Sequence, residues 1–188
     1  MSLRIIITGG TFDKKYDEIQ GVLSFKQTHL PAILDQVRLT LPVALEIDQL
    51  MDSLDMEDHH RRQVVDACCR APEPWIVITH GTDTMVETAG LLAAEGLDKS
   101  IVLTGAMIPY SVTGSDSLFN LGSAIGAVQL LPAGVFIAMN GRIFAWDDVR
   151  KNRQAGIFET ISGAASLTWR VAHAADPFTS SPHRNENS

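Results

Sequence analysis

Five short β-rich runs recur along the chain: Arg4 to Thr8, Ala44 to Gln49, Trp75 to Thr79, Ser100 to Thr104 and Gly134 to Met139. Between successive runs lie stretches with helical apolar spacing: Ile33, Leu34, Val37 and Leu41; Val64, Ala67, Cys68 and Ala71; Met85, Ala89, Leu92 and Ala93; and Leu118, Leu121, Ile125 and Val128. This alternation constrains the fold more than any other feature. Strands with no polar face must be covered on both sides, so the pattern predicts an α/β fold with a mostly parallel sheet between helical layers. Right-handed crossovers then favour a doubly wound, three-layer sheet of order 2-1-3-4-5. That order makes the first and third strands neighbours where the winding reverses. The loops after Thr8 and after Thr79 would flank the crevice at the carboxyl ends of the strands, where such folds bind ligands.

Both loops present hydroxyls. The second reads His80, Gly81, Thr82, Asp83, Thr84 before a helical pattern. Thr84 and Glu87 match a capping box, which leaves Thr82 and Asp83 in surplus at the crevice. The first loop, Gly9 to Gly21, is long and polar, as lids often are. Gly10 allows close backbone approach to a ligand, and Thr11 and Tyr16 follow. The segment lacks the G-x-G-x-x-G pattern, so no dinucleotide cofactor is expected. A threonine needs a base or a positive neighbour to become a nucleophile. The stretch FAWDDVRKNRQ, Phe144 to Gln154, supplies a candidate in Lys151, on a charged loop able to fold back over the crevice. His80 has no partner at ligand spacing, so no metal is expected.

A formal net charge of -7 disfavours nucleic acid or an anionic membrane as partner and points to a small soluble molecule. Arg61 and Arg62 read as a solvated basic pair. Cys68 and Cys69 are adjacent on one helical pattern, which argues against a mutual disulfide and for a reducing, cytoplasmic location. Residues 1–173 read as one domain. The segment 174–188 is polar and proline-broken, as a disordered tail would be.

Taken together and in this order, TGGTFDKKYD, MDSLDM, HGTDTMVETA, LTGAMIP and WDDVRKNR resemble the bacterial-type L-asparaginase family over about Ile5 to Asn152, and domain 1–173 is similar to its N-terminal α/β domain. The resemblance implies a hydrolase that turns L-asparagine, or L-glutamine, into the acid and ammonia. It implies Thr11 as nucleophile, Tyr16 as a lid residue activating it, and Thr82, Asp83 and Lys151 as a second catalytic group. It further implies Ser53 and Asp83 as holders of the substrate's α-carboxylate and α-amino groups, with Gly10, Gly81, Thr82 and Ala106 lining the site. A homo-oligomer, dimer or tetramer, is implied as well. Family members usually carry a second domain, so the chain resembles a short, single-domain form, and Leu54 stands where longer members have a glutamine. A non-catalytic amino-acid sensor or regulatory subunit, and an ammonia-supplying amidase subunit, remain alternatives.

Overall fold

In the computed structural model, which describes residues 2–163, five parallel strands and one antiparallel edge strand form a six-stranded sheet. Along the chain the elements are β1 (Leu3–Gly9), a 3-10 turn (Thr11–Asp13), β2 (Lys15–Asp17), β3 (Val22–Ser24), α1 (Leu30–Gln36), β4 (Val43–Met51), α2 (Asp58–Arg70), β5 (Trp75–Thr79), α3 (Met85–Ala94), β6 (Ser100–Thr104), α4 (Ser117–Val128), β7 (Gly134–Met139), β8 (Arg142–Ala145), β9 (Arg150–Asn152) and β10 (Ile157–Glu159). The sheet order is β4-β1-β5-β6-β7-β8, with β8 antiparallel. Counting only the five expected strands, this is the 2-1-3-4-5 order. The segment 174–188 lies outside the described residues.

Side chains alternate across the sheet and divide the core into two. Ile6, Ile76, Ile78, Ile101 and Leu103 pack with Val64, Cys68, Met85, Ala89 and Leu92 of α2 and α3. Leu3, Ile5, Ile7, Val77 and Val102 pack with Leu30 and Ile33 of α1 and Leu121, Ala124 and Ile125 of α4. The expectation of uniform crossovers fails here. The steps β4 to β5, β5 to β6 and β6 to β7 all run in one direction across the sheet, yet α2 and α3 cover one face and α4 the other. The β6–α4–β7 connection therefore has the opposite hand to the other three, against the strong preference for a single hand.

Other expectations change locally. The first helical pattern yields only seven residues of helix, opened by Pro31 near its start; Val37 is the C-cap and Leu41 lies beyond. The polar loop after β1 contains a hairpin, β2–β3. Its base is held by buried Asp13, which accepts from Thr28 Oγ1 and the His29 N–H at 2.9 Å each. Lys151 stands on a strand, β9, paired with β10. Arg61 is buried: it donates to the Met56 carbonyl and to Glu87 at 2.9 Å each, joining α2 to α3 instead of facing solvent. Its long stem lets a charged head reach these partners across an apolar interface.

Candidate active site

The turns that follow β1 and β5 touch. Gly10 has φ +68, and a Cβ added there would overlap the Gly81 nitrogen and lie 2.5 Å from the Gly81 Cα. Only a residue with no side chain and free access to positive φ fits this crossing. Thr11 and Thr82 each follow directly after one of the two touching glycines. A third segment closes against them. Gly105, just after β6, presses on the His80 carbonyl and would place a Cβ 3.3 Å from Thr82 Cγ2. A fourth, after β4, joins through Thr84 Oγ1, which donates to the Ser53 carbonyl at 2.9 Å.

At this junction Lys151 Nζ donates to Thr82 Oγ1 at 2.7 Å and to Asp83 Oδ1 at 3.1 Å. Arg153 reaches the same Asp83 oxygen at 3.2 Å. The lysine side chain is 12% exposed and that of Asp83 26%, so the pair is largely withdrawn from water, where charge-assisted bonds gain strength. Because Thr82 Oγ1 accepts from the ammonium, its own proton is free to point elsewhere. Lys14 pairs with Asp52 beside this group. Burial alone would raise the Asp52 carboxyl, but hydrogen bonds from Lys14 and the Leu54 N–H, aided by the Lys151 charge, bring it below its ordinary value.

His80, expected only not to bind metal, anchors the turn. Nδ1 lies 2.8 Å from the Gly81 carbonyl and Nε2 2.9 Å from Thr88 Oγ1. A carbonyl can only accept, so Nδ1 carries the proton and Nε2 accepts from Thr88. Burial drives the imidazole down to about 4, with the nearby Arg61 charge adding and the Gly81 hydrogen bond opposing. A neutral, fully buried ring thus holds the turn that carries Thr82. Its signal in the sequence was the polar residue directly after a buried strand, followed eight positions on by Thr88 on the first turns of α3.

The expected capping box does not form. Thr84 spends its hydroxyl on Ser53, and Glu87 is bound to Arg61. A capping box occurs instead at the start of α2, between Glu57 and His60.

Of the remaining candidates, Ser53 is 1% exposed, and its Oγ is covered and finds no hydrogen-bond partner among the described residues. Ala106 is fully buried in the core, so any ligand contact there falls to its main chain. Tyr16, on β2, is 55% exposed, and no hydrogen bond joins its phenol to the Thr82, Asp83 and Lys151 group. An apolar groove of about 350 Å³ lies elsewhere, between α1 and α4. Gln129 is its one polar lining side chain, which suits no charged amino acid.

Three relatives and one solved structure place this site in context. The chain is 44% identical over 94 residues to a glutaminase-asparaginase of Acinetobacter glutaminasificans, covering 48% of this chain and 28% of that protein. It is 28% identical over 167 residues to a protein of Haemophilus influenzae named a probable periplasmic L-asparaginase, covering 83% and 48%. It is 31% identical over 151 residues to a glutamyl-tRNA(Gln) amidotransferase component of Aeropyrum pernix, covering 73% and 34%. The thermostable L-asparaginase of Thermococcus kodakarensis superposes with a TM-score of 0.78 at 25% identity, covering 87% of this chain and 52% of that one. The chain thus spans about half or less of the length of the proteins it matches. Residues 2–168 match the family model described as Asparaginase, N-terminal, and the chain belongs to the asparaginase family.

Proposed function

We propose that the chain hydrolyses the side-chain amide of L-asparagine to L-aspartate and ammonia through a threonine acyl-enzyme. The observation that carries this reading is the Lys151–Thr82–Asp83 group, set against the turn that bears Thr11 by the contact of Gly10 with Gly81. Family membership supports amidohydrolase chemistry in general. In the proposed reaction Thr11 Oγ1 attacks the amide carbon and its proton passes, with help from Tyr16 on the hairpin, to the departing nitrogen, so that ammonia leaves and a β-aspartyl ester remains. Water beside Thr82 then adds to the ester carbon and gives up a proton, relayed by Tyr16, to the Thr11 oxygen as the ester C–O bond breaks, which frees L-aspartate and regenerates the Thr11 hydroxyl. Lys151 fixes the Thr82 oxygen and Asp83 holds Lys151, so the Thr82 O–H is free to face the water. Backbone N–H groups near Gly10–Thr11 and Thr82–Asp83 meet the oxyanion, each such donor contributing about 3 kcal/mol. Asp83 takes the α-amino group, Ser53 takes the α-carboxylate once its covered Oγ, unpartnered among the described residues, turns toward the substrate, and Gly10, Gly81 and the Ala106 main chain line the site. A homo-oligomer supplies a neighbour's surface over the crevice. The free thiols of Cys68 and Cys69 support a cytoplasmic setting.

The test is ammonia release by purified protein from asparagine, glutamine and small aliphatic amides. Thr11→Ala and Thr82→Ala should each lower turnover on asparagine by a factor of about 100 or more, as loss of a nucleophile or its partner does in comparable enzymes. Parent-like rates in either variant would remove that residue from the mechanism. The likeness to an amidotransferase component favours one second reading, an amidase that feeds ammonia to a partner. Copurification of a synthetase-like protein, with turnover that rises in its presence, would select it.

A further inference from the structure

We infer that Asn140 is a positioning residue that sets the height of Lys151 over Thr82. The inference rests on the proposed hydrolytic role of that pair. β9 and β10 form a ribbon of their own and share no strand pairing with the six-stranded sheet. Two attachments dock β10. The Phe158 ring, 1% exposed, enters the core on the face of the sheet covered by α2 and α3, and the Phe158 N–H donates to Asn140 Oδ1 at 2.8 Å. Phe158 lies directly opposite Lys151 in the ribbon. The Asn140 bond is therefore made one cross-strand step from the lysine whose Nζ stands 2.7 Å from Thr82 Oγ1.

Asn140 is itself held. Its N–H donates to Asn120 Oδ1 at 3.2 Å. Asn120, 1% exposed near the start of α4, spends its Nδ2 on the Gly105 carbonyl at 3.0 Å and on Asp116 at 2.8 Å. Asp116 in turn accepts the N–H groups of Met107 and Ile108 at 3.0 Å each. Gly105 packs on Thr82. The contacts form a closed ring: Thr82, Lys151, Phe158, Asn140, Asn120, Gly105 and back to Thr82. Asn120, buried with both ends of its amide bonded, holds the half-buried Asn140 in place, because displacing either would strand a donor or an acceptor. The opposite-handed crossover brings α4, with Asn120, to the face where this ring can close.

The ordinary role of Asn140 accounts for only part of this. With φ +54 at Asn140 and +73 at Gly141, the pair forms the two-residue turn between β7 and β8, and Asn-Gly is a favoured sequence there for its backbone alone. Asp or Gly would serve the turn as well. Only a side-chain acceptor can hold the Phe158 N–H.

That difference defines the experiment. Asn140→Asp keeps both the backbone preference and an acceptor, and Asn140→Gly keeps the backbone freedom alone. Asparagine turnover is measured on the whole chain, with circular dichroism as the check on folding and a crystal structure of each variant. Asn140→Gly should lower kcat at least tenfold with KM within threefold of the parent, and its Lys151–Thr82 separation should exceed 3.5 Å, the limit of a hydrogen bond. Asn140→Asp should stay within threefold in both constants and keep the short contact. Equal behaviour of the two variants, either both parent-like or both impaired, would overturn the assignment. If the parent releases no ammonia, the hydrolytic reading fails by itself and the Lys151–Thr82 distances alone decide the role of Asn140.

Discussion

His80 shows how one buried side chain couples the site to the stability of the fold. Its imidazole is held down to about 4 by burial, whereas an unfolded chain would titrate it near 6.5. Between these values the unfolded state binds a proton that the folded state does not, so the stabilisation is complete above pH 6.5 and is lost as pH falls toward 4. The size is about 3 kcal/mol. Urea unfolding of the parent should therefore lose stability over this window, and His80→Gln should lose distinctly less. Parallel pH curves would show that another group governs the acid limb. Gly10 is a second single-residue constraint. Gly10→Ala places a methyl on the Gly81 backbone at positive φ, and we expect a loss of about 2 kcal/mol or more, read as a fall in urea midpoint. An unchanged midpoint would mean that the two turns separate easily.

Among the elements, the β9–β10 ribbon carries the most consequence for its size. Arg150 pairs with Glu159 within it, at 2.8 Å, and Asn152 bonds the same carboxylate. These links shape the ribbon, while the Phe158 ring and the Phe158–Asn140 bond tie β10 to the main body. Phe158→Ala removes the apolar attachment. It should cost about 3 kcal/mol of stability, as deletion of a buried ring does, and also depress ammonia release at temperatures where the fold persists. Loss of stability with turnover intact would separate the ribbon from the chemistry. The other hairpin, β2–β3, is different in kind: its tip exposes Ile19, Val22 and Leu23, while its base is held by Asp13.

At the level of the whole molecule, the six-stranded sheet gathers the site at one end. Loops after β1, β4, β5 and β6 meet there, and the ribbon after β8 leans in from the far edge. The segments lie up to 140 residues apart in order, from Thr11 to Lys151. No helix among the described residues is long and apolar enough to cross a membrane. The chain spans about half the length of the asparaginases it resembles.

The five parallel strands, their order and the two threonine-bearing turns were legible in order and spacing alone, because most of these strands are apolar on both faces and a parallel sheet has one reversal of winding. Edge strand β4, which carries Glu46 and Asp48 and leaves Leu45 and Ile47 exposed, departs from that apolar pattern, and the antiparallel strands were not read this way. The turn at Asn140–Gly141 was also written there, as Asn-Gly between two apolar runs, though nothing local ties it to Lys151. Tertiary structure decided the rest. Whether Thr84 caps its helix or bonds Ser53, whether Arg61 faces water or Glu87, and on which side α4 crosses all depend on competing partners far away in the chain. Local propensity is settled within a few residues, but a hydrogen bond goes to whichever partner packing brings within about 3 Å.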